Sequence, residues 1–115
     1  MKIKYIKYFG FAVLLLIALK VYANSYTATV NNTTSLNLGT VTWNLNPSGT
    51  QDVNVSGSGE YPTTLSSGIV SITILGQTLA AGTNGNIYLS NNTPLPCVWS
   101  TDGSGNIIAT VSDGY

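Results

Sequence analysis

Few residues of this chain could perform chemistry, because it contains no histidine and only four acidic side chains. Asp52, Glu60 and Asp102 are the candidates for a glycosidase-like pair of carboxylates. Asp52 and Glu60, however, flank a Ser/Gly turn, which favours a role as solubilising loop charges. General acid–base catalysis needs a group whose pKa can be tuned towards neutral pH. We therefore predict that the protein is not an enzyme and uses no cofactor.

The single cysteine, Cys97, lies in an apolar segment, Leu95–Trp99. One cysteine excludes an intramolecular disulfide, and free cysteine is among the residue types most often buried. The alternatives are an intermolecular disulfide or a reactive nucleophile. A nucleophilic thiolate needs a neighbouring base or cation to lower its pKa, and no His, Lys or Arg follows Lys20. A small buried hydrophobe is the favoured interpretation.

One segment has oxygen ligands at the spacing of a calcium loop. Residues 102–106 (Asp-Gly-Ser-Gly-Asn) alternate such ligands, and Asp113 falls at the last ligand position of an EF-hand. The glycine that this loop requires at its sixth position is instead Ile107. A hairpin turn between the Trp99 strand and the Ile107 strand explains the same residues, so we predict no metal site.

Aromatic side chains offer a second kind of chemistry, which is stacking on sugar rings. Trp43, Trp99 and Tyr88 are the candidate sugar-stacking residues, and Tyr61 is a further one. Trp43 and Trp99 lie in phase with residues expected to face a core, so both are predicted to be buried. A small secreted carbohydrate-binding module, with a glycan as partner, is the alternative function.

The basic residues are confined to the beginning of the chain, at Lys2, Lys4, Lys7 and Lys20. An apolar run from Phe9 to Leu19 follows the first three, and Val21–Ala23 resembles a cleavage site, so residues 1–23 are predicted to be a signal peptide. The run is shorter than the roughly 20 residues of a membrane span; a retained anchor is the alternative. We expect export to the periplasm, the cell surface or the medium, and membrane contact only through the leader.

Residues 24–115 are predicted to form one all-β domain. Apolar side chains alternate with Thr, Ser and Asn in short runs separated by turn signals such as Asn84-Gly85. Leu36 and Leu38 alternate as well, and the phase shifts at Gly39-Thr40, as at a β-bulge. The pattern predicts a small antiparallel, immunoglobulin-like sandwich of about seven strands. Nucleic acid is excluded as a partner because phosphate neutralisation needs cations.

Three segments near the start of the domain form a recognisable pattern. They are Tyr26–Val30, then Thr34–Val41 with its Leu-Asn-Leu-Gly-Thr-Val core, then Gly49–Val55. This pattern resembles the opening of bacterial fimbrial or pilin-type subunits. It covers residues 24–56. The chain differs from such pilins in lacking their cysteine pair and in being shorter.

The resemblance implies assembly by β-strand addition, in which an N-terminal arm completes a neighbour's sheet. Residues 24–31 would be that arm, and Tyr26, Ala28 and Val30 would fill pockets of the partner. The expected function is that of an exported, non-catalytic structural or adhesive surface protein. Its partners would be further copies of itself, in an oligomer or a fibre.

Overall fold

The structure, a computed structural model, describes residues 25–113. The predicted signal peptide, Asn24 and the last two residues lie outside the described part. That part is all-β, as the alternation predicts, and it contains no helix long and apolar enough to cross a membrane. Its nine strands are β1 (Tyr26–Asn32), β2 (Gly39–Asn46), β3 (Thr50–Val55), β4 (Gly59–Leu65), β5 (Gly68–Ile74), β6 (Gln77–Ala80), β7 (Gly85–Tyr88), β8 (Pro94–Thr101) and β9 (Ile107–Val111).

The strands form two sheets. The larger sheet has the order β4-β1-β9-β8-β7, and the smaller has the order β3-β2-β5-β6. Strands that follow each other in the chain, such as β1 and β2, therefore often lie in different sheets. The first strand is an interior strand of the larger sheet, antiparallel to β4 and parallel to β9.

A hydrophobic core fills the space between the two sheets. Trp43 of β2 and Trp99 of β8 meet across it edge to face, with ring centroids 6.0 Å apart and ring planes at 67°. Burying each large apolar side chain contributes about 1.5–3 kcal/mol, and the inward positions of all the longer strands take part. The largest fully buried side chains are Trp43, Leu38, Ile72, Ile74, Ile87, Leu95, Ile107, Val30, Val41, Val55 and Val111.

The outer face of the smaller sheet is polar, as expected for a sheet that packs one face on the core and exposes the other to solvent. Thr42 donates a hydrogen bond from Oγ1 to Asp52 Oδ1 at 2.8 Å, and the hydroxyls of Thr73 and Thr78 are 2.9 Å apart. Asn44 Nδ2 donates to Thr73 Oγ1 at 3.1 Å. Short hydroxyl and amide side chains thus bridge neighbouring strands across this face.

The number of strands is higher than the sequence predicts, because the pattern does not reveal β4 and β6. β4 contains Pro62 and is mostly exposed, and it lies at a sheet edge, where a proline removes no needed hydrogen bond. β6 has four residues, too few for an alternation to be recognised. Both strands pair on one side only, so neither needs a continuous buried face.

Three further details differ from the prediction. β2 begins at Gly39, which has a φ of 69°, so Leu36 and Leu38 lie in the preceding connection rather than in a strand. The register shift of β2 falls at Asn44/Leu45, opposite β5. The arrangement is also not wholly antiparallel, because β1 and β9 are parallel. Parallel neighbours need a long crossover, which the whole intervening domain supplies here.

Candidate functional site

The first strand contains the three residues that the pilin resemblance assigns to strand addition. Tyr26, Ala28 and Val30 all point into this chain's own core and are at most 5% exposed. The backbone of β1 pairs with β4 along one edge and with β9 along the other. β1 therefore closes the larger sheet within the same chain, and without it β4 would have no neighbour in that sheet.

Both ends of β1 are anchored to distant parts of the chain. At the start, the Tyr26 hydroxyl donates to the carbonyl of Ser67 at 2.7 Å, and burial raises the pKa of Tyr26 to about 12. Just beyond the end, Thr33 donates from both its backbone nitrogen and its hydroxyl to the carbonyl of Val111. The Tyr26 bond ties the start of β1 to the connection between β4 and β5, and the Thr33 bonds tie its end to the last strand.

A buried polar cluster centred on Asn32 fixes the connection from β1 to β2. Asn32 Nδ2 donates to the carbonyls of Leu36 and Gly57, each at 2.9 Å. Asn32 Oδ1 accepts from the backbone nitrogen of Thr34 at 3.0 Å and from its hydroxyl at 2.6 Å. The amide thus makes all four hydrogen bonds that an asparagine side chain can form. Only 1% of Asn32 is exposed.

The two tryptophans proposed as sugar-stacking residues are buried, Trp43 fully and Trp99 to all but 5% of its surface. In this fold neither indole presents a face to a ligand. The Nε1 atoms of both have no hydrogen-bond partner within the described residues. Each indole therefore contributes apolar contact area while its N–H group is left unsatisfied, which costs about 1–3 kcal/mol.

The carboxylates lie on different elements. Asp52 is on β3 and Glu60 is on β4, in different sheets, and Asp102 is in the connection between β8 and β9. Both oxygens of Asp102 accept hydrogen bonds from its own turn, mainly from the Asn106 side chain and the Ser104 backbone. These bonds lower the pKa of Asp102. The segment forms the hairpin turn that the sequence predicts, since Thr101 pairs with Ile107.

Cys97 is buried on β8, in line with the prediction of a small core hydrophobe. Burial raises the pKa of its thiol to about 11. A thiol with a raised pKa is mostly protonated at neutral pH and is a poor nucleophile. Within residues 25–113, no group of three or more His, Cys, Asp or Glu side chains comes together as a metal site would require.

Tyr88 is the one sugar-stacking candidate of the three that reaches the surface, with 48% of its area exposed. It forms one wall of an open cleft of about 570 Å³ between the edge strands β6 and β7. The other residues that line this cleft are Leu75, Gln77, Leu89, Ser90 and Asn92. The cleft therefore combines an aromatic ring and two leucines with three amide or hydroxyl side chains.

The walls of the cleft come from different sheets and are joined by Gln77. The Gln77 side chain donates from Nε2 to the carbonyl of Tyr88 at 2.6 Å and accepts at Oε1 from the Tyr88 backbone nitrogen at 2.7 Å. Nearby, a Cβ added to Gly85 would lie 2.8 Å from Leu79 Cδ2, so the strands approach closely there. The backbone of Tyr88 is consequently held in place from the opposite sheet.

Two cleft residues have a backbone conformation that is rare for side-chain-bearing residues. Leu75 has a φ of 51° and Asn92 a φ of 67°, and they are the only non-glycine residues in the described part with positive φ. Asparagine tolerates this region well, whereas leucine does not. Leu75 and Gly76 form the two-residue turn between β5 and β6, with the positive φ values of a type I′ turn, where Asn-Gly is preferred.

Tyr88 is predictable from the sequence as a candidate ligand contact, but the other residues of the cleft are not. One signal was present in the sequence, namely a leucine before Gly76 at the position where a tight hairpin favours asparagine. The proximity of this turn to Ser90 and Asn92 could not be predicted from the sequence, because it depends on how the edges of the two sheets pack together.

Comparison with models of known protein families, with curated proteins and with solved structures finds no significant match to this chain.

Proposed function

We propose that this chain is an exported, non-catalytic structural or adhesive protein that assembles by exchanging its first strand between copies. The observation that carries the proposal is the position of β1, which is the first strand of the domain yet completes the interior of the larger sheet. A second copy of the chain contains an identical slot between β4 and β9. Strand addition of this kind uses main-chain hydrogen bonds for affinity and inward side chains for specificity.

The energetics favour exchange as a route to association. Every hydrogen bond that β1 makes to β4 and β9, and every contact of Tyr26, Ala28 and Val30 with the core, is recovered when the strand occupies another copy. Exchange of an identical element is a low-cost route to oligomers for this reason. If each copy donates to the next without closing a ring, the result is an open filament.

The connection between β1 and β2 would act as the hinge. It comprises residues 33–38 and contains Thr34 and Leu36, which belong to the polar cluster around Asn32. Opening the hinge disrupts part of this cluster, which supplies a barrier between the closed monomer and the exchanged form. Exchange should therefore be slow and should increase with protein concentration.

The chemistry of the rest of the chain is consistent with this proposal. The acidic side chains lie on separate elements, and no cation follows Lys20. The resemblance of residues 24–56 to pilin-type subunits and the two-sheet arrangement support an immunoglobulin-like domain of that general kind. The leader of residues 1–23 supports export. These features agree with a protein that acts by assembly rather than by turnover.

A disulfide that locks β1 to its own β4 tests the proposal. Thr27 and Thr64 are cross-strand partners whose side chains lie on the outer side of the sheet. Antiparallel partners have Cα atoms about 4.5–5.5 Å apart, which is within the range of a disulfide. The leader-free variant Thr27→Cys/Thr64→Cys, with Cys97→Ala, is examined by size-exclusion chromatography with light scattering and by electron microscopy. Oligomers or filaments are expected after reduction, but monomers when the protein is oxidised as a monomer.

A matched control locks two strands that do not take part in exchange. Val98 and Thr110 are partners on β8 and β9, and a disulfide between them should leave assembly unchanged. Deletion of residues 24–31 should abolish assembly, and a synthetic peptide of those residues should bind the truncated domain. Monomers at every concentration in the reduced state, or equal assembly of the locked and unlocked protein, contradict strand exchange.

A further inference from the structure

We propose that the cleft between Leu75 and Tyr88 binds a neutral saccharide unit. This inference goes beyond strand exchange and does not depend on it, because none of the cleft residues belongs to β1, β4 or β9. Tyr88 provides an aromatic ring in a residue that is 48% exposed, and Ser90 and Asn92 line the same cleft with a hydroxyl and an amide group. Ligand sites commonly combine an apolar or aromatic surface with a few polar groups that fix orientation.

The charge of the surroundings selects the class of ligand. None of the six residues that line the cleft is an acid or a base, so neither a cation nor an anion would find a partner charge there. Beyond Lys20 the chain contains no cation at all, which disfavours acidic glycans and phosphates. A neutral sugar ring satisfies both parts of the cleft, with its C–H face on Tyr88 and its hydroxyls on Ser90 and Asn92.

Leu75 provides an independent argument that this end of the domain is adapted to a ligand. A leucine in the left-handed region costs about 1–2 kcal/mol, and Leu75 is 38% exposed, so part of its apolar surface is left unpacked. Asparagine at the same position would suit the turn better. Locally unfavourable residues of this kind concentrate at functional sites. An exposed leucine facing an exposed tyrosine gives the cleft two apolar walls.

The test is a titration of the ¹⁵N-labelled, leader-free chain with neutral oligosaccharides followed by NMR. The probes are gluco-, manno-, galacto-, xylo- and N-acetylglucosamine oligomers, with sialylated and uronic acid oligomers as charged comparisons. At least one neutral series is expected to shift the backbone amides of Tyr88, Ser90 and Asn92 and the side-chain amide of Gln77. The absence of chemical-shift changes with every neutral oligosaccharide, or binding of the charged oligosaccharides alone, overturns the proposal.

Substitutions then separate a binding role from a structural one. Tyr88→Ala should weaken binding about tenfold or more, whereas Tyr88→Phe, which keeps the ring, should change it less than about threefold. Asn92→Gly removes the amide but retains the positive φ, so it should weaken binding without loss of fold. The control is Val70→Ala, an exposed apolar residue outside the cleft, and it should bind as the unaltered chain does.

The Leu75→Asn variant distinguishes a binding role of Leu75 from a purely structural one, because the two roles predict different changes in saccharide affinity. It should raise the midpoint of thermal unfolding, because Asn-Gly suits the turn, and at the same time weaken saccharide binding. Unchanged affinity in Tyr88→Ala, or a fall in stability with unchanged affinity in Leu75→Asn, contradicts the assignment of the cleft. The disulfide-locked monomer serves for all these titrations, so their outcome is separate from that of strand exchange.

Discussion

The polar cluster around Asn32 leads to the sharpest prediction for stability. Replacing Asn32 with alanine removes four hydrogen bonds at a site that is 1% exposed. The free-energy cost of losing a hydrogen bond differs among the partner groups. The Thr34 hydroxyl still accepts from the Leu36 backbone nitrogen at 3.1 Å, and the carbonyls of Leu36 and Gly57 are in half-buried residues that water can reach.

The expected loss follows from these differences. The backbone N–H of Thr34 is left buried without an acceptor, at a cost of about 1–3 kcal/mol. The two carbonyls each lose a hydrogen bond worth about 0.5–1.5 kcal/mol. Together the Asn32→Ala variant should lose about 4 kcal/mol. A natural domain has a total stability of only about 5–15 kcal/mol, so the variant should lose a quarter or more of its free energy of unfolding.

The assay is denaturant unfolding of the leader-free domain, followed by the fluorescence of Trp43 and Trp99. Asn31→Ala is the matched control, because Asn31 is the adjacent strand residue and its side chain makes no hydrogen bond within the described residues. It should cost less than about 1 kcal/mol. A double-mutant cycle with Thr34→Val should show coupling of about 1 kcal/mol, because the two side chains share a 2.6 Å hydrogen bond.

Asn32→Asp adds a test with a defined pH dependence. The carboxylate would face the carbonyls of Leu36 and Gly57, so the protonated acid, which can donate, is the form that the folded site prefers. The folded-state pKa of the introduced acid is therefore raised, and its stability should improve relative to Asn32→Ala as the pH falls. A loss below about 1 kcal/mol for Asn32→Ala would refute the account of this cluster.

Two further predictions concern buried groups of the core. Cys97 has a pKa raised to about 11, so the unfolded chain ionises first as the pH rises. The free energy of unfolding of the unaltered chain should exceed that of Cys97→Ala by its full amount near neutral pH, and this difference should shrink by about 2 kcal/mol at pH 11. Denaturant unfolding of both proteins over this pH range measures the difference. A difference that stays constant with pH contradicts the burial of the thiol. The fluorescence emission of Trp43 and Trp99 should be blue-shifted, should resist quenching by acrylamide and should not change when saccharides are added, because both indoles are buried. Efficient quenching of the native protein would contradict their position in the core.

Much of the fold could be predicted from the local pattern of the sequence. Alternation identifies which side of a strand faces the core, so Tyr26, Ala28 and Val30 could be assigned to one face, and Trp43 and Trp99 to the interior. The same reasoning identified the turn at Asp102. β4 and β6 were not predicted, because edge strands with exposed sides need no alternation of apolar and polar residues. A strand was wrongly predicted at Leu36 and Leu38, because the residues of a partly buried connection can alternate as well.

The candidate sites depend on contacts that no local pattern contains. Tyr88 could be chosen as an aromatic residue outside the core, but the turn at Leu75 and the loop at Asn92 meet only because β6 and β7 lie at the same edge of two packed sheets. In the same way, the alternation from Tyr26 to Val30 predicts a strand but does not show which strands pair with it.

The sequence by itself determined the all-β class, the inward positions of most strands and the absence of cations beyond Lys20, since composition and period-two alternation are local properties. Only the tertiary structure decided that β1 lies between β4 and β9 and that Tyr88 faces Leu75 across a cleft. The physical reason is that backbone hydrogen bonds between strands are nearly the same for every pairing. The choice of partner is therefore made by the packing of the whole core.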